Sequence, residues 1–203
     1  MKIIKKIFLL LFIGSLLIMG MGILWPTPQH PLEAEKVEMA LGIPYEIATI
    51  PESNKRPGTK RRIKSIVVHN TANPNSTAQN ERDYLVNLTN TSSTSFHMVV
   101  DANEIVEAIP VTEVAFHAGS SKDNREGIGI EICESGDYEK AEENAVQMIA
   151  YLMQTYNIPL SQIKTHEDCS GKACPRLILG HWDHFLERVD RAYRTLSKTD
   201  RPQ

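Results

Sequence analysis

The chain has 203 residues, with 22 lysines and arginines against 25 aspartates and glutamates and a formal net charge of −3. This balance, without a dense basic patch, argues against a nucleic-acid-binding protein. The three cysteines, Cys133, Cys169 and Cys174, cannot all pair with one another, so at least one thiol must be free, intermolecular or bound to a metal.

The first 25 residues have the composition of a membrane segment. Three lysines lie within the first six residues, and residues 7–25 form an uncharged apolar run that ends in Trp25. As a helix this run is about 28 Å long, close to the hydrocarbon thickness of a bilayer. We expect an uncleaved anchor with the rest of the chain outside the cytoplasm. The alternative is a cleaved signal peptide and a secreted protein, because Gly20 and Gly22 have the spacing of a cleavage site.

Residues 26–62 contain six prolines, which disfavour long helices and central strands. We interpret this segment as a linker and irregular lead-in that holds the following domain away from the membrane. Residues 63–198 then form one domain, which we expect to be monomeric.

The domain alternates short apolar runs with helical patterns. Strands are predicted at 63–69, 114–118 and 128–133, and residues 96–110 predict a hairpin around a turn at 101–103. Helices are predicted at 78–90, 138–156 and 180–197, the last two from apolar residues at helical spacing. The pattern indicates an α/β domain with a mixed central sheet flanked by helices, although it does not give the strand order.

A short loop near the C-terminus carries residues that can bind a metal. His166 and Cys174 lie eight residues apart in a segment that contains glycine, a spacing from which both can reach one Zn²⁺ ion. A catalytic zinc commonly has three protein ligands, and His69 at the end of a predicted strand is a candidate for the third. The residues alone leave a structural role for the pair open.

Five segments resemble, in the same order, motifs of the zinc-dependent N-acetylmuramoyl-L-alanine amidases, the family that includes T7 lysozyme and the peptidoglycan recognition proteins. The segments are Val-Val-His-Asn-Thr-Ala at 67–72, Ser-Phe-His-Met-Val at 95–99, Phe-His-Ala-Gly at 116–119, Ile-Gly-Ile-Glu-Ile at 128–132, and His166 with Lys172 and Cys174. They span residues 63–177. The resemblance implies the fold of this family and cleavage of the amide between N-acetylmuramic acid and L-alanine in peptidoglycan.

The resemblance also implies roles for single residues. His69, His166 and Cys174 would bind zinc, Glu131 would act as the general base on a zinc-activated water, and Lys172 would stabilise the oxyanion. His117, His97 and Asn70 would contact the substrate, His97 alternatively being a buried structural histidine. On the strand itself, Glu131 shares a face with Gly129, which we expect to leave room for a substrate.

Two positions depart from the family pattern. Phe96 stands where some members have a tyrosine near the metal, which leaves the proton transfer to Glu131. Cys169 stands where related enzymes often have tryptophan, and its pairing with Cys174 would withdraw a zinc ligand.

Two other functions remain open from the sequence. A non-catalytic peptidoglycan-binding receptor on the same fold would be expected to lack the cysteine ligand, which is present here. A structural zinc site would need a fourth protein ligand, for which Asp168 is the nearby candidate.

Overall fold

A computed structural model describes residues 29–199 and contains one six-stranded sheet. The strands are β1 (Tyr45–Ile47), β2 (Ser65–Asn70), β3 (Met98–Val100), β4 (Ile105–Glu107), β5 (Gly127–Ile132) and β6 (Ile163–Thr165). Their order is β1-β4-β3-β5-β2-β6, and only the β3–β4 hairpin is antiparallel. The predicted hairpin at 96–110 is therefore confirmed.

The helices lie on both faces of this sheet. They are α1 (Ala34–Leu41), α2 (Ala78–Val86), α3 (Ser121–Glu126), α4 (Tyr138–Tyr156), α5 (His166–Ser170) and α6 (Trp182–Thr199), with 3₁₀ turns at Leu160–Gln162 and Leu179–His181. The predicted α/β class with a mixed, helix-flanked sheet is confirmed, and α4 spans the predicted residues.

The two sheet faces belong to different hydrophobic clusters. Ile66 and Val68 of β2 and the three isoleucines of β5 are fully buried in the larger cluster, which includes the apolar sides of α4 and α6. The opposite face contributes Val99, Val106 and Cys133 to a smaller cluster with α2 and the loops. Alternation along β5 therefore directs Glu131 away from the α4–α6 core, as its position between isoleucines predicts.

The lead-in differs from the prediction. The described part of residues 26–62 is not an irregular linker throughout, because it contains α1 and β1. Val37 of α1 is fully buried and Tyr45 of β1 is 4% exposed, so both belong to the core. The prolines are compatible with this arrangement, since Pro31 and Pro44 precede the two elements and β1 is an edge strand.

The strand predicted at 114–118 does not form. Only Glu113 makes an isolated bridge there, to Lys60. The Phe116 N–H donates to the Ser95 hydroxyl oxygen, and the Phe116 carbonyl accepts from the Ser95 N–H. This segment is therefore a loop held to another loop, because its backbone groups are used outside a strand ladder.

Within residues 29–199, no helix is both long enough and apolar enough to cross a bilayer. The anchor predicted from residues 1–25 lies outside the described residues.

One buried carboxyl group in the sheet accepts hydrogen bonds from uncharged groups. Glu107, at the end of β4, is 1% exposed, accepts from the Tyr45 hydroxyl at 2.6 Å and accepts from the Val111 N–H at 3.0 Å. Burial raises the pKa of Glu107 to about 7, against the effect of these hydrogen bonds. The neutral acid is therefore the form that the fold favours.

Replacing this acid should change how stability depends on pH. The folded pKa lies above the unfolded value near 4.5, so the stabilisation is present below pH 4.5 and is lost as pH rises through about 7. We expect Glu107→Gln to remove this loss, so that its unfolding free energy relative to wild type rises between pH 5 and pH 8 by up to about 3 kcal/mol. Urea unfolding at both pH values measures the difference. Glu46→Gln, at an exposed residue of β1, is the control, and a pH-independent difference for Glu107→Gln would contradict the assignment.

Candidate metal centre

Two histidines meet at the carboxyl ends of neighbouring parallel strands. His69 is the penultimate residue of β2, and His166 directly follows β6, which pairs with β2 in parallel. Thr165 caps α5 in a capping box with Asp168: its hydroxyl oxygen accepts from the Asp168 N–H, and its own N–H donates to the Asp168 carboxylate at 2.8 Å. The cap fixes where α5 begins, and hence the position of His166.

The third donor, Cys174, comes from the loop after α5. The Glu167 N–H donates to the Cys174 carbonyl, and the Asn70 backbone N–H donates to the Cys174 sulfur. One nitrogen each from His69 and His166 and the Cys174 sulfur all lie within 4.8 Å of one another. The structure thus brings together the three residues that the sequence suggested.

These separations fit a tetrahedral metal site. Bonds of about 2.1 Å to nitrogen and 2.3 Å to sulfur at tetrahedral angles separate two ligand atoms by roughly 3.6 Å. The His69 Nδ1 and Cys174 Sγ atoms are 4.0 Å apart, so a small adjustment would complete the geometry. Two imidazoles and a thiol are also the donor types that zinc prefers.

Glu131 lies next to these donors with one oxygen unused. It pairs in register with His69 across the β2–β5 ladder, and its Oε1 is 4.0 Å from His69 Nδ1. The Oε2 atom is buried and has no hydrogen-bond partner among residues 29–199. Burial raises the pKa of Glu131 to about 8, while burial lowers that of His69, so their contact is not an ion pair at pH 7. An unpartnered buried carboxylate oxygen beside three donors is what a cation or a reacting water would satisfy.

Without a bound ion, burial and nearby charge favour the uncharged forms of His69, His166 and Cys174. Burial lowers the pKa of His69 and of half-buried His166, and the positive charge of Lys172 acts in the same direction on both. Burial raises the pKa of the Cys174 thiol to about 11, against the Asn70 amide that donates to the sulfur. Lys172 itself is exposed. It therefore lies at the solvent side of the site while its charge reaches the donors.

His117 lies behind His69, away from solvent. It is 4% exposed, and its Nδ1 is 3.2 Å from His69 Nε2 while its Nε2 is 3.0 Å from the Gly127 carbonyl oxygen. Burial lowers the pKa of His117 to about 3. A Cβ on Gly129 would stand 2.5 Å from His117 Cγ. The space that we expected Gly129 to leave for a substrate is occupied by this imidazole.

His97 is fully buried, with both ring nitrogens bonded to backbone. Its Nδ1 accepts from the Gly129 N–H at 2.8 Å, and its Nε2 lies 2.9 Å from the Glu113 carbonyl oxygen. These contacts favour the structural alternative for His97. Asp168, the candidate fourth ligand, is engaged in the α5 cap.

Asn70 has its side chain between two neighbouring elements. Its Nδ2 donates to the Tyr138 hydroxyl at 3.1 Å, and its Oδ1 accepts from the Leu177 N–H at 3.0 Å. The residue is 6% exposed. The side chain thereby fastens the loop that carries Cys174 to the end of β2 and the start of α4.

Sequence reasoning did not identify the groups that support the ligands. Asn124 of α3 accepts from the N–H groups of His117 and Ala118 at 2.9 and 2.7 Å, and Arg61 Nη1 donates to the Gly127 carbonyl at 3.0 Å. No local pattern marks either residue, since both act through distant backbone groups.

Comparison with known proteins matches the chain to a described family. Residues 59–177 match the Amidase_2 family model, described as N-acetylmuramoyl-L-alanine amidase. The chain is 42% identical over 146 residues to the N-acetylmuramoyl-L-alanine amidase CwlH of Bacillus subtilis, covering 69% of this chain and 58% of that protein. It is 43% identical over 139 residues to XlyA of the same organism, covering 66% of this chain and 46% of XlyA. The chain thus spans about half the length of these curated relatives.

Solved structures agree with the sequence matches. The catalytic domain of XlyA is 40% identical and superposes with a TM-score of 0.70 over 72% of this chain and 99% of that domain. PlyL is 39% identical, with a TM-score of 0.64 over 71% of this chain and 96% of PlyL.

The contacts of Asn70 predict a loss of stability when its side chain is removed. Asn70→Ala leaves the Leu177 N–H and the Tyr138 hydroxyl without this partner, so we expect the unfolding free energy to fall by about 1–3 kcal/mol. Chemical unfolding checks the value. Asn75→Ala, at an exposed asparagine nearby, is the matched control and should stay within about 0.5 kcal/mol of wild type. Equal stability of the two variants would contradict the fastening role.

Proposed function

Because residues 59–177 match its model, the chain belongs to the N-acetylmuramoyl-L-alanine amidase family, and we propose that it hydrolyses the amide between N-acetylmuramic acid and L-alanine in peptidoglycan. The observation that carries the proposal is the cluster of His69, His166 and Cys174 with the unpartnered Glu131 oxygen beside it. A donor set open on one side suits catalysis, whereas a structural site would be closed by a fourth ligand.

Zinc is the proposed metal, held by His69, His166 and Cys174. When bound, zinc supplies Lewis-acid chemistry: it polarises the substrate carbonyl and lowers the pKa of water at its open position.

Glu131 is the proposed general base. Its carboxylate accepts the proton of the attacking water and returns it to the departing L-alanine amine. The buried carboxyl group is favoured in its neutral form by desolvation, and the positive charge of a nearby cation favours the carboxylate that the first step needs. No tyrosine is available at Phe96, so this proton transfer falls to Glu131.

Lys172 is proposed to stabilise the oxyanion that develops on the carbonyl oxygen. Its positive charge lowers the pKa of His69, His166 and Glu131, which supports a position close enough to act on the developing charge. A fixed charge of this kind is worth about 2.7–4 kcal/mol in the transition state where it is shielded from water. Because Lys172 is exposed here, most of that benefit requires substrate to cover it.

The roles we propose for His97, His117 and Asn70 differ from the substrate contacts expected from the sequence. All three are buried, and their side-chain nitrogen and oxygen atoms are used within the protein. We assign Asn70 to fastening the Cys174 loop and His97 to holding β5 beside the hairpin.

A peptidoglycan-binding receptor without activity is the second candidate. The fold alone would support binding, yet the complete donor set with Glu131 favours catalysis. Release of a new L-alanine amine from muropeptides separates the two, because a receptor binds without releasing it.

We further propose an extracytoplasmic domain that is anchored in the membrane by residues 1–25 and acts as a monomer. The uncharged apolar run at 7–25 is long enough for a spanning helix, and the lysines before it favour an orientation with the domain on the outer side.

The general-base role predicts the effect of an isosteric change. We expect Glu131→Gln to bind zinc in a 1:1 ratio, because it is not a ligand, and to lose roughly 10²–10⁴-fold in turnover, because the amide cannot accept the proton. Metal analysis and mass spectrometry of muropeptide products measure both. Glu139→Gln, at an exposed carboxylate of α4, should retain wild-type turnover. Unchanged turnover in Glu131→Gln would remove the assigned role.

The anchor predicts where the full-length chain is found. We expect it in the membrane fraction at its uncleaved mass, and expect deletion of residues 1–25 to leave an active domain in the soluble fraction. The deletion must not extend into α1 and β1, because both belong to the core. A full-length chain that is recovered soluble and shortened at its N-terminus would instead establish a cleaved signal peptide.

A further inference from the structure

The imidazole of His69 has contacts on two sides. Its Nδ1 lies 4.0 Å from both Cys174 Sγ and Glu131 Oε1, which is the side of the donor cluster. Its Nε2 lies 3.2 Å from His117 Nδ1, on the buried side. The His69 ring therefore links the candidate metal centre to a second histidine, His117, that is not one of the three proposed metal ligands.

The direction of these hydrogen bonds follows from the Gly127 carbonyl, the last group in the hydrogen-bonded series. His117 Nε2 lies 3.0 Å from the Gly127 carbonyl oxygen, and a carbonyl oxygen can only accept. His117 therefore carries its proton on Nε2, and its neutral ring has an acceptor at Nδ1. His69 must then donate from Nε2, which leaves the His69 Nδ1 lone pair directed towards the cluster.

A cationic His117 would reverse this direction, and its surroundings oppose one. The ring is buried, and Arg61 donates to the same Gly127 carbonyl at 3.0 Å. Arg61 has two further guanidinium nitrogens, Nε and Nη2, that are buried without a hydrogen-bond partner in the described part of the chain. A second positive charge beside an arginine that lacks a carboxylate partner is strongly disfavoured.

We propose that His117 is a positioning residue: the Gly127–His117–His69 hydrogen-bond chain holds His69 in the Nε2–H tautomer and presents its Nδ1 to zinc. The inference rests on the proposed zinc amidase function and adds a role that the three donors alone do not reveal. A hydrogen-bond partner on the second nitrogen of a metal-binding histidine fixes the orientation and tautomer of the ring and raises its basicity.

The surrounding backbone is built to hold His117 in place. Asn124 accepts from two consecutive N–H groups, those of His117 and Ala118. The absence of a side chain at Gly129 lets the imidazole lie against β5, since an added Cβ would be 2.5 Å from His117 Cγ. His97 packs edge-on against the same ring, with centroids 5.4 Å apart. Both the position and the plane of His117 are therefore restrained.

The first test reads the tautomers directly. Long-range ¹H–¹⁵N correlation spectra of the zinc-loaded full-length chain distinguish Nδ1–H from Nε2–H on each imidazole. We expect His69 and His117 both to be Nε2–H. A proton on Nδ1 of either ring would overturn the proposal.

The second test removes the acceptor and restores one. We expect His117→Leu to weaken zinc affinity roughly 10–100-fold, measured by competition with a chelator. His117→Asn keeps an acceptor oxygen near the position of Nδ1 and should recover most of the affinity. His184→Leu, at an exposed histidine of α6, is the matched control and should bind zinc as wild type does. Equal affinity of His117→Leu and wild type, or equal loss in the Leu and Asn variants, would show that His117 only fills space.

A further variant covers the case in which His117→Leu does not fold. Gly129→Ala keeps the histidine but displaces its ring, and it should also weaken zinc binding; wild-type affinity in a folded Gly129→Ala protein would count against the proposal.

The proposed zinc amidase function and the proposed positioning role of His117 fail differently. A wild-type chain that does not bind zinc overturns the proposed function, whereas tight zinc binding that is independent of the His117 acceptor overturns only the positioning role.

Discussion

The site depends first on the register between β2 and β5. These central parallel strands pair His69 with Glu131 and Val67 with Gly129, two residues earlier on the same face. Residues two apart along a strand share a face, so one ladder fixes a metal donor, the proposed base and the gap that receives His117. A shift of one residue in either strand would turn these side chains from the site into the core under α4 and α6. The isoleucines of β5 make that shift unfavourable, because they would leave the core.

One face of the sheet packs in the larger hydrophobic core, and the opposite face carries the residues of the candidate metal centre. On one face, α4 and α6 cover the larger hydrophobic cluster, which needs no polar partners. The other face carries the histidines, whose polar atoms are mostly satisfied by backbone carbonyls and amides. Most polar side chains can be buried there because they have hydrogen-bond partners within the fold, Glu131 Oε2 being an exception, while the rigid core behind them limits their movement. The C-terminal edge of the parallel strands then leaves the donors accessible from one side.

The sequence predicted much of this arrangement but not its supporting contacts. The long helix α4, strand β5 and the β3–β4 hairpin have strong periodicity or turn signals, and they form where expected. The short strand β6 has three residues and no such signal, although it places His166. The segment at 114–118 is apolar enough for a strand, yet its backbone groups bond to other loops. His117 and Asn70 were identified as site residues from motifs, but the direction in which their side chains bond depends on Gly127, Tyr138 and Leu177, which lie far away or outside the motif.

Charge balance explains why such a buried site suits a divalent cation. Without an ion, burial raises the pKa of Cys174 to about 11 and that of Glu131 to about 8, and the nearby histidines are neutral. The centre then has little net charge, which is what a poorly solvated region favours. With a bound zinc ion, the thiolate and the carboxylate supply two negative charges against its two positive ones, so the centre again has little net charge. Zinc binding would therefore be coupled to proton release from Cys174 and Glu131. The two imidazoles would add no charge, so among the three proposed ligands and the proposed base the one cysteine and the one glutamate would supply the negative charge that offsets the cation.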